Sequence, residues 1–518
     1  MSIKVVLKTI CILFFLRTSL IFSQGTNKST VLTSKIEKRL DSVLYHYQNT
    51  GEKEKYKAAQ FLIENISHHK SIDIQWIDEN KNEVPFSEFE FSDFNAAFAH
   101  IKKLKDSIKL RPTKHIIFDK EVISSELLIE NIDLAFLEWK NNEWSKDYSF
   151  EVFCDYILPY RNLVEPLEKW RRKCKKLGSD LKYKPEDITD PVEVCTSVVS
   201  SLDDFTFINK RPDPIPILSP SQMLFRRQGS CPDLANFAVL VCRSMGIATT
   251  FDFTPHYAAS SNRHFWNTVI DTKGNHIPFN SNAVNNSDES LPYVYNANKK
   301  RLGKVFRVKY SINKESLAAI IPKEDIPESF LEMNNIIDVT AEYVAVSDLQ
   351  IDKGVFQDSI AYLNVFNLGR WKVIDWGKTK SNKISFENLG RDLVYLPSTY
   401  VNKKKEYLKY PFLVNKNGDW TELKPDSTKT FSATLSRGNE LINKYIDNNS
   451  LEILTDKKYR LSYWDGGWKE IGVSKANTEG VFFENIPRKA LFLLTPINPD
   501  RFERIFTIQP KTNKIFWY

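Results

Sequence analysis

Glycine and methionine are scarce in this 518-residue chain, at 17 and 4 residues, and cysteine amounts to only 6. No glycine-rich phosphate loop, nucleotide fingerprint or recognisably spaced pair of catalytic carboxylates occurs in the sequence. No C-x-x-C pair exists, and no two histidines share a zinc-type spacing with cysteine. The expected complement is therefore no cofactor and no metal. No clean run of about 20 apolar residues is present either, which argues against a membrane span. With 42% hydrophobic and 26% charged residues, wholesale disorder, collagen and coiled coil are excluded. What the chain has in abundance is aromatics: 34 Phe, 21 Tyr and 11 Trp. That richness favours strand-heavy modules and leaves open exposed aromatic platforms. The length suits three or four domains.

The first 23 residues read as a secretory signal peptide. Lys4 and Lys8 supply a basic start, Ile10 to Leu16 an apolar run interrupted at Arg17, and Ser23 the small residue before a cleavage site. Removal leaves 69 basic against 65 acidic residues, a charge of +4, so nucleic acid is not expected as a partner. Export to the periplasm, outer surface or medium is the expected location. Five cysteines remain (Cys154, Cys174, Cys195, Cys231 and Cys242), and an odd number leaves at least one thiol unpaired.

Apolar stripes at helical spacing mark the first half, among them Ile36, Leu40, Val43, Leu44 and Tyr47, then Leu128, Ile132, Ala135 and Trp139. Segment 149–173 is broken at Pro159 and resumes through Leu167 and Trp170. Residues 24–189 are assigned to a helical domain. Asp190-Pro191 then offers an N-cap and a proline at the first helical position. After residue 305 short alternating runs (Phe306 to Tyr310, Thr340 to Val346, Ala361 to Phe366) alternate with turn residues. An ungapped repeat at an offset of 97 matches Tyr362, Gly369, Trp371, Lys372, Ile374, Phe386, Glu387, Asn388, Arg391 and Leu396 to Tyr459, Gly466, Trp468, Lys469, Ile471, Phe483, Glu484, Asn485, Arg488 and Leu493. Two tandem β-sandwich modules follow, 305–440 and 441–518. Val394 and Leu396, with Leu491 and Leu493, are expected to face each module's own core; Glu387–Gly390 and Glu484–Pro487 are expected to be turns. Trp371 and Trp468 are expected to be mostly buried.

The chemistry concentrates in 190–304. Gly229-Ser230-Cys231-Pro232-Asp233 precedes an apolar-periodic run ending at Gly246, which puts Cys231 at a helix N-terminus, where the dipole favours thiolate. A strand, His264–Ile270, is followed by the turn Asp271–Asn275 and a return strand to Asn280. In such a hairpin His264 and Asn280 lie side by side, so nucleophile, base and orienting group are all available. Asp271 rivals Asn280 as third member but reads as a turn former; His256 and His276 are rival bases. Gln228 and Gln222 are candidate side-chain donors to an oxyanion, beside the Cys231 N–H.

Gly-x-Cys-x-Asp, Arg-x-x-Gly-Ile, His-x-Trp-Asn and Pro-Phe-Asn, in that order, resemble the transglutaminase-like superfamily. The resemblance implies a papain-like α+β core with a Cys–His–Asp triad, carried here by Cys231, His264 and Asn280, with Asn in place of the usual Asp. The Phe153-Cys154-Asp155-Tyr156-Ile157-Leu158-Pro159-Tyr160-Arg161 and Glu168-Lys169-Trp170-Arg171 stretches, with the β-modules, make the chain similar to large secreted bacterial proteins of this type. The fold class expected is multidomain α+β: helical domain, transglutaminase-like core, two β-modules. The activity implied is attack on a protein or peptide amide through a thioester, with hydrolysis preferred to cross-linking. The rival reading is a non-catalytic surface protein whose β-modules hold a glycan or protein.

Overall fold

The computed structural model describes residues 36–180, 184–258, 263–281, 301–352, 360–436, 453–497 and 504–518; the expected signal peptide lies outside them. The chain divides into two compact units, one drawn from Met1–Ser201, Lys210–Gly229 and Leu240–Ala248, the other from Leu202–Asn209, Ser230–Val239 and Thr249–Tyr518. It is mixed helix and sheet throughout.

The first unit is built on helices at 36–50, Lys53–Asn65, Phe94–Ser107, Ser125–Asn141, Phe150–Tyr156, Arg171–Gly178 and Pro191–Ser200. Asp93, Ser124, Ser149 and Asp190 each cap the following helix with a side-chain oxygen, satisfying an otherwise orphaned N–H. A purely helical assignment is incomplete, because Lys70–Ile77 pairs antiparallel with Arg111–Phe118. The alternation Ile72, Ile74, Trp76 is the period-two signal that marks the first of these strands.

The Pro159 break is held open by buried arginines. Arg171 Nη2 donates to the carbonyls of Ile157, Leu158 and Pro159 at 2.6, 3.0 and 3.3 Å. Arg243 Nε donates to the Tyr156 carbonyl at 2.9 Å, and the Trp170 indole to the Tyr160 carbonyl at 2.6 Å. Burial pulls Arg171 down to about 9 and Arg243 to about 10. The helix resumes at Arg171 rather than near Leu167, since the backbone just past the break is also bound to side chains: Arg243 donates to the Arg161 carbonyl, Arg161 to the Leu163 and Glu165 carbonyls, and Glu165 accepts from the Asn162 and Leu163 N–H groups.

The second unit holds the core sheet, in the order His276–Phe279, His264–Ile270, Thr249–Thr254, Phe306–Val308, Ile336–Asp338. The sheet therefore runs past the expected core limit at 304. The expected Thr340 to Val346 strand starts instead as a one-turn helix, Thr340–Tyr343, because Asp338 accepts from the Thr340 N–H at 2.9 Å and so bends the chain.

Beyond it the two repeats share their strand order except at one seam, where the first continues as one sheet and the second divides into two. In the first, Val346–Asp352, Lys383–Gly390, Arg370–Lys380, Ile360–Asn367, Leu393–Val401, Phe412–Val414 and Trp420–Glu422 neighbour one another in that order. In the second, Trp468–Lys475, Lys458–Trp464, Phe492–Pro496, Ile505–Gln509 and Lys514–Trp517 form one sheet, and Asp426–Leu435 pairs with Val481–Arg488 in another. The second copy thus begins with a strand before residue 441. Left-handed backbone recurs at the same offset: Gly369 and Gly466, Asn388 and Asn485, Asp392 and Lys489. The segments expected as turns lie within strands, and the asparagine in each takes a positive φ (51° and 56°), a bulge-like kink that Asn tolerates well.

Strand-face assignment also needs correction. Leu393 and Tyr395, like Phe492 and Leu494, enter the core of their own copy. Val394, Leu396, Leu491 and Leu493 join Phe366, Trp371, Trp464 and Trp468 in a cluster shared by the two copies. Residues 393–396 are all buried, and a strand buried on both faces carries no alternation to read.

Candidate active site

Cys231 is the first residue of the helix Cys231–Ser244. The Leu234 N–H bonds the Ser230 carbonyl at 3.0 Å, so Ser230 is the N-cap. The fully buried Asp233 closes the turn by accepting from the Ser230 N–H at 2.8 Å and from its hydroxyl. This reverse cap fixes the backbone on which the thiol sits. At the far end Gly246 has φ +76°, and a Cβ there would meet the Glu138 carbonyl oxygen at 3.0 Å, so only glycine suits this stop.

His264 opens the strand His264–Ile270, paired with Thr254 on the neighbouring strand. Its Nδ1 lies 3.6 Å from Cys231 Sγ. The imidazole stacks on Trp266 (centroids 5.7 Å apart, planes at 29°) and on Tyr257 (6.3 Å, 29°), contacts that fix the ring plane. The Cys231 thiol donates to the Phe265 carbonyl at 3.0 Å. One strand therefore presents both the ring and a carbonyl to the sulfur. Asn267, one residue past the tryptophan, donates to the Ala235 carbonyl of the cysteine helix at 2.7 Å, which ties helix to strand within one turn of the thiol.

Beneath the histidine strand runs a buried network that sequence reading missed. Trp266 Nε1 donates to the Tyr343 hydroxyl at 2.9 Å, and that hydroxyl donates to Asp252 at 2.6 Å. Asp252, fully buried, also accepts from Thr268 at 2.8 Å and from Arg307 Nε and Nη2 at 2.9 and 2.8 Å. Arg307 reaches Glu342 as well. A lone Asp in Thr-Thr-Phe-Asp-Phe-Thr and a lone Arg in Phe-Arg-Val were the available signal, since isolated charges in apolar strands stay buried only when paired.

Asn280 follows the return strand His276–Phe279. Asn267 is opposite Phe279, so the register continued by one residue puts Asn280 opposite Trp266, a diagonal neighbour of His264 on one face. Asp271 is engaged in its own turn, accepting from the Lys273 N–H, the Asn275 N–H and the Asn275 amide. His276 pairs with Glu342 at 3.6 Å. His256 is pushed down to about 4 by burial and by Lys372, Arg263 and Lys405, so its ring stays neutral. Gln222 spends its carbonyl oxygen on a capping box with Ser219; Gln228 lies in the short strand Gln228–Gly229.

None of the five described cysteines is in a disulfide. Cys195 and Cys242 lie with sulfurs 3.8 Å apart. Burial raises Cys154, Cys174 and Cys195 well above the ordinary thiol value, whereas Cys231 is half-exposed. Among the described residues, no group of three or more His, Cys, Asp or Glu is placed to hold a metal.

A cysteine at a helix start facing a strand-borne histidine is the arrangement of a papain-like cysteine core. Residues 166–281 match the family described as the transglutaminase-like superfamily, and this segment is a transglutaminase-like domain. Among solved structures, the chain matches one from Cytophaga hutchinsonii whose assignment as a cysteine protease is provisional, at 14% identity and TM-score 0.18, over 22% of this chain and 37% of that one. It also matches red sea bream transglutaminase at 10% identity and TM-score 0.20, over 86% of this chain and 76% of that one. The chain thus spans little over a third of the first of these. None of the curated proteins matches it.

Proposed function

We propose that this chain is an exported cysteine enzyme that cleaves amide bonds of proteins or peptides through a thioester. The 3.6 Å approach of His264 Nδ1 to Cys231 Sγ carries the reading. The thiol proton passes to Nδ1 as sulfur attacks the carbonyl carbon. The tetrahedral oxyanion is met by the Cys231 N–H at the start of the helix Cys231–Ser244, where the backbone dipole favours negative charge. Collapse expels the amine, which takes the proton from the imidazolium, and the acyl group remains on sulfur. Water, deprotonated by the same ring, then releases the acid and restores the thiol. An amine in place of water would give cross-linking; hydrolysis is preferred because water is in large excess unless a site excludes it. Asn280 is the proposed orienting group for His264, and export is supported by the basic and apolar start of the sequence.

The second reading, a binding protein with an inactive core, draws on the Phe265 carbonyl: it holds the Cys231 hydrogen as a donor and opposes the thiolate. Glycan stacking on Trp371 and Trp468 is not part of it, because those rings pack between the repeats.

Iodoacetamide labelling across pH, read by mass spectrometry, tests the enzyme. Labelling should fall on Cys231 alone, since the other four described thiols are buried, and should slow markedly in His264→Ala. Equal rates with and without His264 would sink the proposal.

A further inference from the structure

We propose that Cys195 and Cys242 form a disulfide that braces the helix begun by Cys231. Cys195 lies in the middle of the helix Pro191–Ser200, and Cys242 lies in the last turn of Cys231–Ser244. Their sulfurs are 3.8 Å apart, and both residues belong to the first compact unit. They are 2% and 0% exposed. Their neighbours at helical spacing, Val198 and Val199 beside Cys195, and Ala238 and Val239 beside Cys242, are buried as well. The two thiols therefore meet in an apolar contact between helices, and the amide chemistry of Cys231 makes no use of them.

The geometry asks for little movement. A disulfide holds its sulfurs at about 2.05 Å. From 3.8 Å each sulfur would travel about 0.9 Å, which turning two short side chains about their Cα–Cβ bonds can supply. The two cysteines are 47 residues apart. The loop so closed contains the strand Gln228–Gly229 and most of the helix that carries the nucleophile. A long closed loop restricts the unfolded chain strongly, so the bond favours the folded state.

Two thiol–disulfide exchanges with a small organic disulfide, RSSR, make the bond. The thiolate of one cysteine attacks RSSR, giving a mixed disulfide and releasing RS⁻. The thiolate of the other then attacks the protein sulfur of that mixed disulfide, and a second RS⁻ leaves. The protein gives up two protons and two electrons, and one RSSR becomes two RSH. Burial, with Cys242 adding to it, holds the folded Cys195 thiol well above the ordinary thiol value, which keeps it protonated and inert. The first exchange therefore takes place while the chain is folding, before the two helices pack. A chain exported as proposed above folds where such disulfides persist. The pairing itself stands on the contact of Cys195 with Cys242 and leaves Cys231, which faces His264, as a thiol.

Mass spectrometry of the full chain tests the pair and supplies the oxidant directly. The chain is unfolded and reduced, refolded in mixed reduced and oxidised glutathione, then unfolded again with N-ethylmaleimide and weighed before and after proteolysis. Four of the six cysteines should be alkylated, and Cys195 and Cys242 should leave in one peptide pair that dithiothreitol separates. Dithiothreitol should also lower the denaturant midpoint of the oxidised chain, and leave that of Cys195→Ala unmoved. Should refolding fail, the chain directed to an oxidising periplasm by a host leader peptide is alkylated and weighed in the same way. Six alkylated cysteines, glutathione retained on Cys195 or Cys242, or either of them joined to a different cysteine overturns the pair. A midpoint indifferent to dithiothreitol in the oxidised chain refutes the brace. Labelling of Cys231 in His264→Ala reports on the proposed activity alone, so failure of one reading is told apart from failure of the other.

Discussion

Asp252→Asn is the sharpest test of how the histidine strand is held. The carboxylate accepts four hydrogen bonds, two from Arg307 and one each from Thr268 and Tyr343, and is fully buried. An amide keeps the shape but turns an NH₂ toward donors, so at least one of these contacts becomes donor against donor. Arg307 loses its buried counter-charge and keeps only the 39% exposed Glu342. Breaking one side of a buried pair costs about 3–5 kcal/mol. Partial compensation by Glu342 argues for the lower end, about 3 kcal/mol. Thermal unfolding followed by near-ultraviolet circular dichroism should show a fall in Tm of about 2–4 °C per kcal/mol. The same variant should slow alkylation of Cys231, because Tyr343 bonds the Trp266 indole on which the His264 ring is stacked. Tyr343→Phe should reproduce part of the slowing at smaller cost in stability. If Asp252→Asn melts within a degree of wild type, the network does not bear on the sheet and the reasoning fails.

Three further outcomes follow from particular residues. Asn280→Asp should retain or raise turnover, since a carboxylate accepts the same imidazole N–H and adds charge, whereas Asn280→Ala should lower it at least about tenfold with Tm unchanged; turnover unaffected by both would remove Asn280 from the site. His256 is held at about 4 when folded against about 6.5 unfolded, so the unfolded chain binds the extra proton between those values. Its contribution to stability is present above pH 6.5 and declines toward pH 4, by at most about 3 kcal/mol; His256→Gln should flatten the denaturant midpoint over that window, and an unaltered pH profile would contradict the neutral, buried ring. Trp371→Ala should cost about 3–5 kcal/mol in denaturant unfolding, because the ring packs on Phe366 and Trp464; a loss under 1 kcal/mol would mean that the cluster between repeats is not tightly packed.

What the sequence makes legible here is local chemistry with a fixed address. A cysteine before Pro-Asp announces a helix start, and a polar Asp-Thr-Lys-Gly-Asn turn announces a hairpin, so Cys231 and His264 can be named before any coordinates. The repeat is equally plain, since ten identities at one offset preserve even the left-handed positions at Asn388 and Asn485. What stays hidden depends on partners distant in sequence. Leu393 to Leu396 reads as an ordinary strand, but its second face is buried only because a copy of itself comes to lie against it. Asp252 and Arg307 are 55 residues apart, and nothing local to either names the other.

The same distinction bears on the departure at Asn280. An orienting residue needs an acceptor at the right place more than it needs a charge, and the place is set by the hairpin register, not by the residue at its end. With Asn267 opposite Phe279, any acceptor at position 280 falls on the face that His264 shares with Trp266. Sulfur faces Nδ1 of the imidazole, which leaves Nε2 to donate, and a neutral amide oxygen can accept from it and hold the tautomer that keeps Nδ1 basic. What an amide gives up is stabilisation of the imidazolium once the proton arrives. The penalty therefore falls wherever the ring carries the proton, in the thiolate–imidazolium pair as much as in turnover. Asn280→Asp should raise both the alkylation of Cys231 and amide cleavage, since both pass through the imidazolium. Unchanged rates of both would place residue 280 away from the ring, and the division of roles between Nδ1 and Nε2 would have to be redrawn.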